Sequence, residues 1–205
     1  MKKSIVTFAM CMMALPAMAV LTLPIAEDAT SEAGEMRVSA GVTIESDFNM
    51  YGGRFTYGLT DELSLFAGAG LADPDAFDSE PYFQVGGKYV LPVDMPVDLA
   101  LRGGFGIVSF DEGGWELDIW MINAGLLASK AMDDNFTVYG FGGLSYSKTK
   151  VTAPRMWGGR SSSDTDSELA IAGGVLYAMD DNISFYAELA HIDDLFVSGG
   201  VRFKF

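Results

Sequence analysis

From Leu195 to Phe205 (LFVSGGVRFKF) alternate positions separate an apolar face from one that is largely polar or bare. Leu195, Val197, Gly199, Val201, Phe203 and Phe205 fall on one side, and Phe196, Ser198, Gly200, Arg202 and Lys204 on the other. A period of two separates such sets on a strand and on no helix. Met36 to Glu45 does the same, with Met36, Val38, Ala40, Val42 and Ile44 opposite Arg37, Ser39, Gly41, Thr43 and Glu45. Between these two stretches lie eight more of similar texture, which constrains the chain to a sheet of many two-sided strands.

In order, Phe55, Tyr57 and Leu59 oppose Arg54 and Thr56, and Leu63, Leu65 and Leu71 oppose Ser64 and Phe66. Phe83, Val85 and Tyr89 oppose Gln84 and Lys88, and Leu99, Leu101, Phe105 and Ile107 oppose Asp98 and Arg102. Trp115, Leu117, Ile119 and Met121 read as an apolar side against Glu116, Asp118 and Trp120. Ile122 to Ala128 is apolar on both sides, leaving its register open and a β-bulge as one reading. Phe136 to Lys150 is open too, since Tyr139 and Phe141 compete with Val138 and Leu144 for the apolar side. Leu169, Ile171 and Tyr177 against Glu168, Ala170 and Ala172, then Ile183, Phe185 and Leu189 against Ser184, Tyr186 and Glu188, complete the set. Ten strands is the expectation. Eight is the alternative, but it needs longer connections than the turn signals mark.

Those signals are regular. Met132-Asp133-Asp134-Asn135 recurs as Met179-Asp180-Asp181-Asn182, and Thr60-Asp61-Glu62 plays the same part. All read as tight polar turns. Each enters an odd-numbered strand and so shares a rim with Phe205, whereas the longer connections (Asp73 to Asp78, Asp111 to Gly114, Val151 to Asp166) lie on the other rim. Glycine pairs at 86-87, 103-104, 142-143, 173-174 and 199-200 fall inside strands. In a small closed barrel they relieve crowding and permit curvature.

At the N-terminus, Lys2 and Lys3 precede an apolar run from Ile5 to Pro16, and Ala17-Met18-Ala19 supplies the small residues that a signal peptidase reads. The expectation is a cleaved secretory signal peptide over 1–19. Cys11 leaves with it, so stability must come from packing, pairing or lipid rather than disulfides. Residues 20–35 read as a flexible N-terminal segment, followed by one barrel domain over 36–205. The net charge of −15, or −17 without Lys2 and Lys3, argues against nucleic acid as a partner.

Three features place the apolar side outward, toward lipid. The alternating stretches approach the ~9–11 residues that a strand needs to cross a bilayer, charges sit mid-strand on the opposite side, and aromatic residues recur near strand ends. The inward set then holds Arg37, Arg54, Lys88, Arg102, Arg202 and Lys204 against Glu45, Asp98, Glu116, Asp118, Glu168 and Glu188, six charges of each sign. A balanced interior reads as a paired filling, because an unpaired buried charge is costly. A wide pore is not expected.

The signal peptide, the Asp-Asp-Asn turns and the terminal Phe203-Lys204-Phe205 together resemble the small outer-membrane β-barrel superfamily of Gram-negative-type bacteria. The resemblance implies an all-β, closed, antiparallel up-and-down transmembrane barrel in the cell outer membrane. It implies insertion by the barrel-assembly machinery, with Val201, Phe203 and Phe205 as the assembly signal. The partners it implies are outer-membrane lipid and lipopolysaccharide, around a monomer without cofactors.

Function is less legible. The reading preferred here is a non-enzymatic barrel with a side-chain-filled lumen, serving envelope integrity or surface contact. A narrow channel for small solutes is the alternative. An omptin-like rim protease is third, resting on His191, the only histidine, beside Asp193 and Asp194. Asp73, Asp75, Asp78 and Glu80 could serve a divalent cation but read more simply as a solvated loop. Arg155, Trp157 and Arg160 could contact lipopolysaccharide or a protein, or simply form a mobile surface loop.

Overall fold

Alternation repeated in short hairpin-linked segments leaves one way to remove both sheet edges, which is to pair the first strand with the last. The computed structural model, which describes residues 24–46, 48–75, 78–154 and 159–205, has that closure. Its strands are β1 (Met36–Ile44), β2 (Phe48–Gly58), β3 (Leu63–Pro74), β4 (Glu80–Val90), β5 (Asp98–Glu112), β6 (Trp115–Ala131), β7 (Phe136–Thr152), β8 (Ser161–Ala178), β9 (Ile183–Ile192) and β10 (Asp194–Lys204). Each pairs antiparallel with its sequence neighbours, and β1 pairs with β10 from Arg37↔Lys204 to Ile44↔Val197. The barrel therefore has ten strands, not eight.

The echoed turns are built alike. The Asp133 carboxylate accepts from the amides of Asn135 (2.9 Å) and Phe136 (2.8 Å), and Asp180 does the same for Asn182 and Ile183, both at 2.8 Å. At the β2–β3 turn the Thr60 hydroxyl takes that place for Glu62 (3.2 Å) and Leu63 (3.0 Å). A short side-chain acceptor at the first turn position is what makes Asp and Thr suited to it.

On the opposite rim, strands replace much of what the sequence suggested were loops. β5 to β8 run 15, 17, 17 and 18 residues, against 9 to 12 for the other six. Asp111 and Glu112 belong to β5, and only Gly113 (φ 60°) and Gly114 (φ 83°) make the turn. Positive φ at both central residues is the two-residue hairpin that matches strand twist. Similarly, β7 and β8 consume most of Val151 to Asp166, while Arg155, Met156 and Trp157 lie outside the described residues. These four strands stand above the rest of the rim as a wall.

That wall corrects one expectation. Leu117, Ile119 and Met121 face inward and are at most 1% exposed, whereas Glu116 and Asp118 face out and are not lumen charges. Outside the membrane half of β6, water rather than lipid bathes the outer side, so apolar residues turn in and charged ones out. The boundary is marked by Trp120, which lies 5.6 Å from Tyr146 and 6.5 Å from Phe105 between ring centroids on the outer surface. Interfacial aromatics of this kind flank the lipid-facing band. Pairing of β6 with both neighbours is continuous through Ile122 to Ala128, so there is no bulge. In β7, Tyr139 and Phe141 are buried inward and Leu144 faces out.

Two layers fill the interior. Near the wall, Phe48, Met50, Phe110, Leu117, Ile119 and Phe196 form an apolar layer. Toward the short-turn rim the layer is charged, with Arg54, Lys88, Arg102 and Glu188 buried. Aromatic rings fit between them because glycines face them. A Cβ on Gly41 would overlap the Tyr186 hydroxyl, and one on Gly174 the Tyr139 ring.

Candidate functional site

The charged layer is organised by residues that the sequence suggested were a flexible arm. The described part of that arm, 24–35, runs inside the barrel. It starts at the short-turn rim, where the Gly34 amide donates to the Gly58 carbonyl (2.8 Å) and the Gly58 amide to the Glu35 carbonyl (2.9 Å). Gly34 sits at φ 82°, a left-handed bend that glycine makes without steric cost. Ser31 donates to the Thr60 carbonyl (2.9 Å), and the Ala33 amide to Asp61 (3.0 Å). Lys204 pairs with Glu32 at 3.2 Å and also with Glu35, which in turn contacts Arg37. Burial alone would raise the Glu35 carboxyl, but the Lys204 hydrogen bond and the Arg37 charge outweigh it and hold it below its ordinary range.

Deeper in, Asp28 bridges Arg37 (3.3 Å) and Arg202 (3.1 Å). Glu27 takes Lys88 on one oxygen (3.2 Å) and Arg102 on the other (3.0 Å), with Arg54 4.0 Å away. The Lys88 and Arg102 side chains are 0% exposed. Lys88 also donates to the Asp28 carbonyl at 2.7 Å, and Arg54 to the carbonyls of Ile25 (2.6 Å) and Pro24. The Phe66 ring lies under two guanidinium groups, 5.0 Å from Arg54 and 4.6 Å from Arg102. Such contacts offset part of the mutual repulsion of the cations.

At its inner end the segment reverses the polarity of the contact. Glu188 accepts from the amides of Ile25 (3.0 and 3.1 Å) and Ala26 (3.0 Å), and from the Tyr139 hydroxyl (2.7 Å). Ala26 adopts φ 46°. Non-glycine residues pay for that conformation, and here it turns two successive amides onto one carboxylate, a small anion nest.

The inward charges that meet here are composed differently from the sequence expectation. Of the twelve residues named from sequence, Arg37, Arg54, Lys88, Arg102, Glu188, Arg202 and Lys204 meet around the segment. Glu45 is buried near the wall rim and accepts from Ser46 (2.9 Å), Glu168 is half-buried on the inward side, Asp98 is exposed at the short-turn rim, and Glu116 and Asp118 are outside. Glu27, Asp28, Glu32 and Glu35 supply the missing negative charge. No periodicity marks them in sequence; the one hint was a run of acids in a stretch directly preceding a barrel whose inward face is rich in Arg and Lys.

Among the described residues, little space remains around Pro24. A cavity of about 20 Å³ beside Pro24 is lined by Thr43, Met50, Tyr82, Gln84 and Tyr186, room for little more than a water molecule. A vestibule of about 400 Å³ opens at the short-turn rim between Asp134, Asp180, Asp181, Arg202 and Lys204.

The remaining sequence candidates do not converge. His191 is exposed on the outward side of β9, next to Asp193 in a left-handed turn residue at φ 64°. Asp73 accepts from Ser79 (2.6 Å), and among the described residues no group of three or more His, Cys, Asp or Glu could hold a metal ion. Val201 is half-buried, while Phe203 and Phe205 are exposed on the outward side, Phe205 at 71%.

Residues 9–200 match the family model described as outer membrane protein beta-barrel domain. No curated protein matches the chain. Among solved structures, the outer membrane protease OmpT of Escherichia coli is 12% identical, covers 83% of this chain and 96% of its own, and superposes with a TM-score of 0.53. Ail, the attachment invasion locus protein of Yersinia pestis, is 14% identical over 84% of this chain and 99% of its own, at a TM-score of 0.39. Neisserial surface protein A is 17% identical over 83% and 95%, at 0.40. At such identities the likeness is one of fold.

Proposed function

Since the chain belongs to the outer membrane protein β-barrel domain family and is an integral protein of the bacterial outer membrane, we propose that it is a sealed barrel that serves envelope integrity or surface contact and does not conduct solutes. The observation that carries this reading is the occupied lumen: Glu27 held by Lys88 and Arg102, with Glu188 closing on Ile25 and Ala26. A segment held by buried ion pairs and a two-amide nest does not leave on the timescale of ion passage, because each buried charge it abandons would stand uncompensated.

Reconstituted in planar bilayers, the protein without its leader is expected to stay silent, whereas a form lacking residues 20–35 should show discrete openings. Steady conductance from the form that retains the segment would favour the narrow channel instead.

The same reading has β10 carry the barrel to its membrane through the barrel-assembly machinery, as a monomer surrounded by lipid and lipopolysaccharide. The exposed outward row Phe203 and Phe205 supports it. Deleting Phe205 is expected to lower the outer-membrane level severalfold; an unchanged level with unchanged heat-modifiable migration would count against this role.

A further inference from the structure

Above the membrane, the wall ends on one side in a strand edge. β8 pairs with β7 along its whole length, from Ser161↔Thr152 to Tyr177↔Phe136, but with β9 only from Ile171 onward. Over Ser161 to Ala170, ~33 Å of strand, the side toward β9 has no strand neighbour among the described residues. Alternate backbone N–H and C=O groups there point sideways, a template for a further strand. Every residue from Ser161 to Ser167 is exposed.

The side chains along this edge define what it can accept. Asp164, Asp166 and Glu168 alternate along one face, and Asp193, between β9 and β10, and Asp194, the first residue of β10, sit at its foot. A strand laid against β8 places its own side chains directly opposite that acidic row, where opposite charges attract and like charges repel. Two copies of this chain meeting edge to edge would oppose acid to acid. The small Ser and Thr residues between the acids leave the backbone open to approach, so pairing would supply affinity and the acidic row selectivity.

We infer that the β8 edge over Ser161 to Leu169 docks an extended, basic peptide segment of another protein, which adds to the wall as a surface strand. This rests on the surface-contact reading above, yet it is tested separately: conductance reads the lumen and leaves the edge untouched.

The test uses the protein without its leader, in nanodiscs of zwitterionic lipid with both rims open to water, and three short peptides. One alternates Lys with Thr, one alternates Glu with Thr, and one is the Lys peptide N-methylated at every second residue, prepared in both registers. The Lys peptide is expected to bind, more weakly as salt rises, and to protect the amides of Ser161 to Leu169 from exchange. The Glu peptide and the register of the methylated peptide that blocks pairing should bind at least about tenfold more weakly. The D164K/D166K double variant should lose the Lys peptide by a similar factor while keeping its heat-modifiable migration. Equal binding of the Glu peptide, full binding of both methylated registers, protection elsewhere, no binding of the Lys peptide, or self-association through β8 would each overturn the inference.

Discussion

Replacing Glu27 with alanine is expected to cost the barrel ~3–5 kcal/mol, the usual penalty for removing one partner of a buried ion pair, read as a lower denaturant midpoint in lipid vesicles. Glu27 faces Lys88, Arg102 and Arg54 at 3.2, 3.0 and 4.0 Å, so one substitution leaves three cations facing each other beside the Phe66 ring. Glutamine keeps the shape and removes the charge, and should be nearly as damaging. The cost arises from stranded cations rather than from a lost attraction, so removing charge from both sides should recover stability. Glu27→Ala combined with Lys88→Met is expected to be milder than the sum of the two single changes, a coupling that a double-mutant cycle isolates. A Glu27→Ala midpoint equal to that of the parent protein would show that the segment does not hold the layer together.

The second large effect comes from a single methyl group. Gly174→Ala places a Cβ where the Tyr139 ring lies, and overpacking of that kind costs ~1–3 kcal/mol. The damage should travel. The Tyr139 hydroxyl donates to Glu188 at 2.7 Å, and Glu188 holds the amides of Ile25 and Ala26, so displacing the ring loosens the inner end of the segment. Faster hydrogen exchange at Ile25 and Ala26 should accompany the lower stability. The neighbouring glycine is the control: Gly173 faces outward, and a Cβ there meets nothing closer than 3.9 Å. Gly173→Ala should be neutral or stabilising by ~0.4–1 kcal/mol through the unfolded chain. If both alanines behave alike, the ring-over-glycine packing is not what Gly174 provides.

The two glycines show where sequence reading reaches its limit. Their pairing inside a strand was visible, but which one faces a ring depends on Tyr139, a β7 residue whose register the sequence left open. β6 failed for a related reason. Alternation fixes which side chains share a face and says nothing about whether lipid or water lies beyond it, and above the Trp120 level that medium changes. Leu117 and Glu116 therefore exchanged places relative to expectation. The Asp-Asp-Asn turns were readable because their hydrogen bonds close within four residues.

What the sequence determined by itself is the barrel: the up-and-down order, both rims and the lipid-facing side of most strands follow from a period of two and from local turn chemistry, with ten strands expected and eight left as the alternative. Only the tertiary structure decided what the barrel contains. Ile25 and Glu188 lie far apart in the chain, residues 24–35 have no period of their own, and their path is set by cations contributed from β1, β2, β4, β5 and β10. Charges on five strands converge on Glu27 and Asp28 only after the sheet has closed around them.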